Sequence, residues 1–394
     1  MFKGLPFAKA LRDLGHEVEV LTGFPNYPGG NVYPGYSIRP WQREFMDGIP
    51  VNRVMLYPSH DRSGLRRILN YISFGLSAAT IGPALVRRPD VVYVYNLVTL
   101  GFAANVLRTL HKCPIVLDVQ DLWPDSVTKS GMLNNAYVIR FLNRWCNSVY
   151  KKADYLTVLS PGFKRILSER GVSEDRIEVI YNWCDENQIQ VADRDESLAQ
   201  ELGFSGRFNV VFAGTMGKMQ ALDAVLDAAR LLKSQAPNVQ FVFIGGGTDV
   251  DCLKQKAKEL ELHNVKFLAR RPVTEIGSII QLADVLLVHL KKDPLFEVTI
   301  PSKIQAYLAA GRPILAGVRG DAAKLVEMAA AGCSCNPEDP KSISEAILTM
   351  SRMSPSELRS TGERGRKYYS DNLSLRAGVH NFSNLFSRVV EEQR

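Results

Sequence analysis

Short apolar runs rich in β-branched residues recur along this chain, each separated from the next by a longer stretch of helical character. "VVYVY" (Val91–Tyr95), "IVLDV" (Ile115–Val119), "FVFI" (Phe241–Ile244) and "VLLVHL" (Val285–Leu290) are examples. Runs that stay apolar without alternating belong to strands buried on both faces, and such strands separated by helices build parallel α/β sheets. The first half is expected to hold strands near Glu17–Leu21, Val51–Leu56, Val91–Tyr95, Ile115–Val119, Tyr155–Leu159 and Ile177–Ile180. The second half is expected to hold them near Val210–Phe212, Gln240–Ile244, Lys266–Leu268, Val285–Leu290, Ile314–Ala316 and Gly332–Cys335. Between the two sets, Asn182–Phe204 is polar and poor in strand formers. The expected fold class is therefore α/β, with two doubly wound, Rossmann-like domains facing each other across a cleft. The divisions are residues 1–182, a linker at 183–207, residues 208–354, and a helical tail at 355–394 packing back on the first domain.

Composition narrows the classes. With 394 residues, 46% hydrophobic and 23% charged, the chain is long enough for two cores and too apolar to be disordered. The six cysteines show no paired spacing, which fits reduced thiols and no metal site. The longest apolar run, Ile68–Val86, is broken by Asn70, Gly75, Gly82 and Pro83 and fails as a membrane span. No leader is read at Met1, and a cytoplasmic location is expected. The net charge of +7 suits nucleic acid, anionic lipid or a diphosphate substrate. No nucleic-acid module signature is present, so nucleic acid is not an expected partner.

Ligands of open α/β sheets sit beyond the carboxyl ends of strands, and five stretches there carry chemistry. "DPLFEVTIPSKIQAYLAAGRPIL" (Asp293–Leu315) places Lys303 in the first turn of a helix that Pro301 presets and Ser302 or Thr299 can cap. A cation is the wrong sign for that end of a helix dipole, so Lys303 either points into solvent or shares an anion with the free N–H groups. "FAGTMGKMQALDAVLDAAR" (Phe212–Arg230) and "FVFIGGGTDVDCLK" (Phe241–Lys254) put glycines at two strand ends. Gly214, Gly217, Gly245 and Gly246 permit a backbone to approach a nucleotide or merely turn the chain, and Lys218 supplies charge. "VLDVQDLWPDS" (Val116–Ser126) clusters Asp118, Gln120, Asp121, Trp123 and Asp125. Acids there suit hydroxyl recognition or base work; alternatively Asp125 or Ser126 caps a helix and Trp123 packs. The loop "TGFPNYPGGNVYPGY" (Thr22–Tyr36), with Asn26 and Tyr27, reads as a rigid aromatic wall for a sugar or acceptor.

Taken together, "TGFPNYPGG", "DVQDLWPDS", "VLSPGFK", "VIYNW", "FAGTMGKMQALD" and "PLFEVTIPSKIQAYLAAGRPIL" resemble the retaining glycosyltransferases of family 4, with the two-domain GT-B fold. The likeness covers nearly the whole chain and is nearest to the WbuB-like branch, which includes N-acetyl-L-fucosamine transferases of surface-polysaccharide assembly. It implies a nucleotide-sugar co-substrate, UDP-linked, on the second domain, with no other cofactor and no metal. A lipid-linked saccharide acceptor is implied on the first domain, where Gln120, Trp123, Asn26 and Tyr27 would meet it. The family often carries two glutamates eight positions apart. Here Glu297 holds the first position and Gln305 stands at the second. Lys218 is the one cation of its loop, and Gln120, beside Asp121, replaces a histidine common in the family. The expected catalytic set is Glu297, Lys303, Lys218 and Asp121. Donor contacts are expected from Gly214, Gly217, Gly245, Gly246, Pro301, Ser302 and Gln305. A nucleotide-sugar 2-epimerase of the same fold and a non-catalytic sugar-nucleotide binder are the other readings.

Two further expectations concern the first domain. Ser63–Asp90 brackets an apolar helix with Arg66, Arg67, Arg87 and Arg88, which suits an anionic membrane surface. The chain opens with a helix near Pro6–Leu14 where relatives carry a further strand and Gly-rich loop, so the central sheet is expected to be interrupted.

Overall fold

A computed structural model of the chain describes residues 3–27, 29–59, 64–96, 98–125, 135–189 and 194–393. The chain divides into two compact units, one made of Phe2–Ile180 with Val379–Arg394 and the other of Tyr181–Gly378.

The first unit runs α1 (Leu5–Asp13), β1 (Val20–Gly23), β2 (Trp41–Met46), β3 (Ile49–Val54), α2 (Gly64–Thr80), α3 (Gly82–Leu85) and β4 (Val92–Tyr95). It continues with α4 (Gly101–His111), β5 (Ile115–Val119), α5 (Ala136–Lys152), β6 (Tyr155–Val158), α6 (Pro161–Glu169) and β7 (Ile177–Val179). Asn135 starts α5 by accepting from the amides of Tyr137 and Val138, and Ser160 followed by Pro161 starts α6. Strands β4, β5, β6 and β7 form one parallel sheet in that order. A second sheet has the order β1-β3-β2, with β1 parallel and β2 antiparallel to β3. Among the described residues β1 and β4 do not pair, and the sheet is interrupted there, as expected. Strand β2 was not foreseen. It forms a hairpin with β3 through Asp47 (φ 49°) and Gly48 (φ 81°), two consecutive left-handed residues of the kind a tight hairpin needs.

The second unit contains α7 (Glu196–Leu202), β8 (Phe208–Ala213), α8 (Leu222–Gln235), β9 (Val239–Ile244), α9 (Val250–Glu259), β10 (Val265–Leu268) and α10 (Val273–Ile280). Next come β11 (Val285–His289), α11 (Pro294–Glu297), α12 (Ser302–Ala310), β12 (Ile314–Gly317), α13 (Asp321–Met328) and β13 (Gly332–Ser334). The helices α14 (Pro340–Ser351) and α15 (Pro355–Asn372) follow. Its strands make one parallel sheet ordered β10-β9-β8-β11-β12-β13. Both faces are covered: Val211, Ala213 and Leu286 face one core, and Val210, Phe212 and Leu287 face the other. Strand order reverses between β8 and β11. Binding crevices of doubly wound sheets form at that switch point, here bounded by the segments that leave β8 and β11.

The expected linker and tail need correction. Residues 183–207 belong to the second unit, whose core takes in Cys184, Ala199, Leu202 and Phe204. The tail is divided. Helix α15 stays with the second unit, where Tyr369 accepts from the Cys184 amide and donates to Glu186. Helix α16 (Leu375–Glu391) returns to the first unit from Val379 onward. There Phe382 and Phe386 pack edge-on against Tyr93, and Phe382 against Phe7.

Candidate functional site

Helix α12 opens on Pro301 (φ −61°, ψ 136°), and among the described residues no side chain caps it. Neither residue expected to cap it does so: Ser302 is the first helical residue, and the Thr299 hydroxyl donates to the Leu295 carbonyl at 2.7 Å. The mouth of the helix thus keeps its backbone donors for something else. Lys303 does not point into solvent. It is half-buried, with Nζ 3.6 Å from the centre of the Phe212 ring. Gly214 makes room for it: a Cβ there would lie 2.6 Å from Lys303 Cε, and φ is +138°. Among the described residues Lys303 has no carboxylate partner. Burial without a counter-ion holds its pKa down at about 7. Tyr307, one turn further on, accepts from the Ala213 amide at 3.0 Å and so ties α12 to the end of β8.

The glycine loops sort into two kinds. A Cβ on Gly245 would lie 2.1 Å from the Gly214 carbonyl oxygen, and one on Gly247 would lie 2.0 Å from that of Met216. These two glycines let the loops after β8 and β9 stack on each other, sealed by Met216 N–H donating to Gly246 O at 2.8 Å. Gly246 is different: nothing lies within 4 Å of a Cβ built on it. Gly217 donates its N–H to Gln220 Oε1 and leads into a short turn over Lys218–Gln220, on which Lys218 is exposed.

His289, at the end of β11, locks that turn. Its Nδ1 lies 2.7 Å from the Gln220 carbonyl, and its Nε2 accepts from the Glu338 amide at 3.1 Å. Those partners require a neutral ring with the proton on Nδ1, and burial lowers its pKa accordingly. Lys291 N–H adds a bond to Met219 O at 2.9 Å. Neither His289 nor Tyr307 was anticipated. The one signal in the sequence was a histidine ending an otherwise apolar strand.

Glu297 ends α11, exposed, with no cationic partner among the described residues. It shares a shallow depression with Lys291, Lys292, Asp293, Phe296 and Arg319. Gln305 does not join it. Only 3% exposed, its amide turns inward and, oriented by its neighbours, donates to the Pro301 and Ser302 carbonyls. The expected donor contact from Gln305 is therefore replaced by a role inside the helix. The second unit brings Gly214, Gly217, Lys218, Glu297 and Lys303 onto the two segments leaving β8 and β11.

In the first unit Asp118 is fully buried and saturated. It accepts from Lys3 Nζ at 2.8 Å, Tyr93 Oη at 2.6 Å, and Gln120 Nε2 and Thr157 Oγ1 at 2.9 Å each. Gln120 thus gives its amide nitrogen to the interior. Asp121 is exposed just beyond, beside Tyr95, whose phenol is pushed up to about 12 by burial and by the charges of Asp118 and Asp121. Trp123 stands edge-on to Tyr71, and its carbonyl accepts from Arg170 at 3.0 Å. Asp125 pairs with Arg170; Ser126, the other expected cap, lies outside the described residues. Asn26 has a buried amide nitrogen with no acceptor among the described residues, and Tyr27 is 60% exposed with its carbonyl accepting from Tyr33. Pro28, in the same loop, lies outside the described residues.

Comparison with known proteins accords with this geometry. A glycosyl transferase 4-like domain matches residues 5–183, and a glycosyl transferases group 1 domain matches residues 193–368. WbjE of Pseudomonas aeruginosa, named as a glycosyltransferase, is 26% identical over 78% of this chain and 77% of its own. WcaI of Escherichia coli K12, named for colanic acid biosynthesis, is 27% identical over 75% of this chain and 74% of its own. Among solved structures, Anabaena HepE in complex with UDP superposes with a TM-score of 0.67 at 17% identity, covering 82% of this chain and 84% of that one. The trehalose 6-phosphate synthase of Burkholderia multivorans gives 0.71 at 15%, covering 100% and 97%. The chain belongs to the glycosyltransferases with the GT-B fold.

Proposed function

We propose that this chain is a retaining, family 4-type enzyme that moves a sugar from a nucleotide diphosphate donor, UDP-linked, to a lipid-linked saccharide of bacterial surface-polysaccharide assembly. The observation that carries the reading is Lys303: a half-buried ammonium with no carboxylate partner among the described residues, at the mouth of a helix whose N-cap is Pro301, at the switch point of a parallel sheet. A diphosphate there meets both the ammonium and the free N–H groups. Support for the donor class comes from HepE, solved with UDP and with UDP-glucose, and support for the pathway from the naming of WcaI. Support for the WbuB-like branch rests on the sequence motifs alone.

Cleavage of the bond between sugar and diphosphate builds negative charge on the leaving phosphate. Lys303, the exposed Lys218 and the amides of Ser302 and Lys303 stabilise that charge, already oriented before the reaction begins. Glu297 accepts from sugar hydroxyls and sets the donor's geometry. Asp121 orients the acceptor hydroxyl in the first unit. The acceptor attacks from the face the leaving group departs, and its proton passes to the leaving phosphate; no step is routed through a metal.

The test is donor binding and transfer by Lys303→Ala. Loss of one such preorganised donor group typically costs about 100-fold or more in rate. Unchanged UDP affinity together with unchanged transfer would remove the phosphate site. Donor turnover without any acceptor would instead favour an epimerase.

A further inference from the structure

Glu338, in the loop between β13 and α14, has φ 54°, a left-handed conformation that a residue with a Cβ rarely adopts. The chain is fixed on either side of it. Before it the Cys335 amide donates to the Ala316 carbonyl at 3.0 Å, and after it Asp339 caps α14 by accepting from the amides of Lys341 and Ser342. Strain that the surroundings maintain points to a use.

Glu338 reaches both segments of the candidate donor site. Its Oε2 accepts from the Lys292 amide at 2.6 Å, on the segment that runs from β11 to Glu297. Its amide donates to His289 Nε2 at 3.1 Å, and Nδ1 on the far side of that ring donates to the Gln220 carbonyl at 2.7 Å. Gln220 closes the turn that carries Lys218. One residue of the segment leaving β13 and one ring thus tie together the segments leaving β8 and β11.

Gly317 seats the ring. It lies opposite His289 on β12, and a Cβ there would come 2.5 Å from His289 Cδ2. Any other residue at 317 would push the ring off its two partners. His289 is 1% exposed, so the ring itself does not touch a donor. Whatever it contributes passes through the segments it holds.

We infer that His289 and Glu338 are positioning residues of the donor site, the ring setting the turn of Lys218 and the Glu338 carboxylate setting the segment of Glu297. The inference rests on the donor site proposed above. Its two arms act on different parts of the donor. Lys218 meets the diphosphate, so the bond from the ring to Gln220 governs affinity for UDP. Glu297 meets the sugar, which UDP lacks, so the bond between Glu338 and Lys292 leaves UDP affinity alone.

Two conservative substitutions divide the bonds of the ring. His289→Asn puts an amide nitrogen near the position of Nδ1 and keeps the bond to Gln220. His289→Gln reaches the position of Nε2 and keeps only the bond to Glu338.

Calorimetric titration with UDP reads the outcome, with thermal unfolding to confirm that each variant is folded. His289→Asn should bind UDP within about twofold of wild type, whereas His289→Gln and Gly317→Ala should lose about tenfold, the worth of one charge-assisted bond from Lys218 to phosphate. Glu338→Ala should keep UDP affinity within about twofold while amide hydrogen exchange quickens across residues 291–297. In a Lys218→Ala background, His289→Gln should cost less than about twofold more, because the ring acts through that turn. Equal loss of UDP affinity in His289→Asn and His289→Gln would overturn the inference. So would a full further loss in the Lys218→Ala background, or a fall in Glu338→Ala as large as in His289→Gln. UDP affinity indifferent to both Lys218→Ala and Lys303→Ala would remove the donor site itself, and the inference with it. Affinity that depends on both lysines, with His289→Gln and Gly317→Ala binding as wild type, would remove the inference alone.

Discussion

A lysine whose pKa sits at about 7 and which receives a diphosphate must take up protons when the donor binds. Burial without a counter-ion lowers the pKa in the free protein, and the phosphates supply that counter-ion and raise it. The bound-state value thus lies above the free-state one. Affinity is fully present below pH 7 and is lost as pH rises from there toward the bound-state value. A nucleotide sugar is the right probe, because both of its phosphates are diesters and do not titrate near neutrality. From a free-state value of about 7, binding should take up about 0.1 proton at pH 6, about half at pH 7 and about 0.9 at pH 8. Over the same range above pH 7 the affinity should fall toward about tenfold per pH unit. Calorimetry in two buffers of different ionisation enthalpy reads the uptake directly. Lys303→Arg keeps a permanent charge and should abolish the uptake while retaining binding. Enthalpies independent of buffer, with flat affinity between pH 6 and 9, would refute the placement of the diphosphate on Lys303.

Four substitutions test the frame. Tyr307→Phe orphans the buried Ala213 amide and should cost about 1–3 kcal/mol in urea unfolding, with transfer reduced as the Gly214 turn loosens. Gly247→Ala drives a Cβ into the Met216 carbonyl and should destabilise by at least about 2 kcal/mol, whereas Gly246→Ala should stay within about 0.5 kcal/mol and show itself in donor KM. Lys3→Met strips the buried Asp118 of its cation; because Tyr93, Gln120 and Thr157 still donate, the loss should fall near the lower end of the usual range, about 3 kcal/mol by denaturant titration.

The central strands of the second unit were legible because both their faces are buried, so stretches such as Val285–Val288 are written as unbroken apolar runs. Strand β2 was not, since Trp41 and Phe45 are exposed on an edge and their neighbours are polar; the Asp47–Gly48 pair was the signal to use. Lys303 could be singled out because its charge conflicts with the helix dipole, a local property. Its seat on Phe212 was hidden, because that contact joins segments far apart in sequence. For the same reason the glycines gave an ambiguous reading: only the Cβ positions show that Gly245 and Gly247 serve loop stacking while Gly246 is open. Gln305 was misplaced because a family position says nothing about whether an amide in place of a carboxylate turns inward to donate to the Pro301 and Ser302 carbonyls. The divided tail was hidden too, since α15 and α16 are both amphipathic and only their partners differ.

Central to the proposed function is a nucleotide diphosphate held by the segments leaving β8 and β11. A crystal structure of the protein grown with UDP measures this most directly. The β-phosphate is expected within about 3 Å of Lys303 Nζ and of the amides at the mouth of α12, with Gly246 and Gly217 lining the nucleotide. A diphosphate bound elsewhere, with Lys303 still on the Phe212 ring and touching no phosphate oxygen, would contradict it.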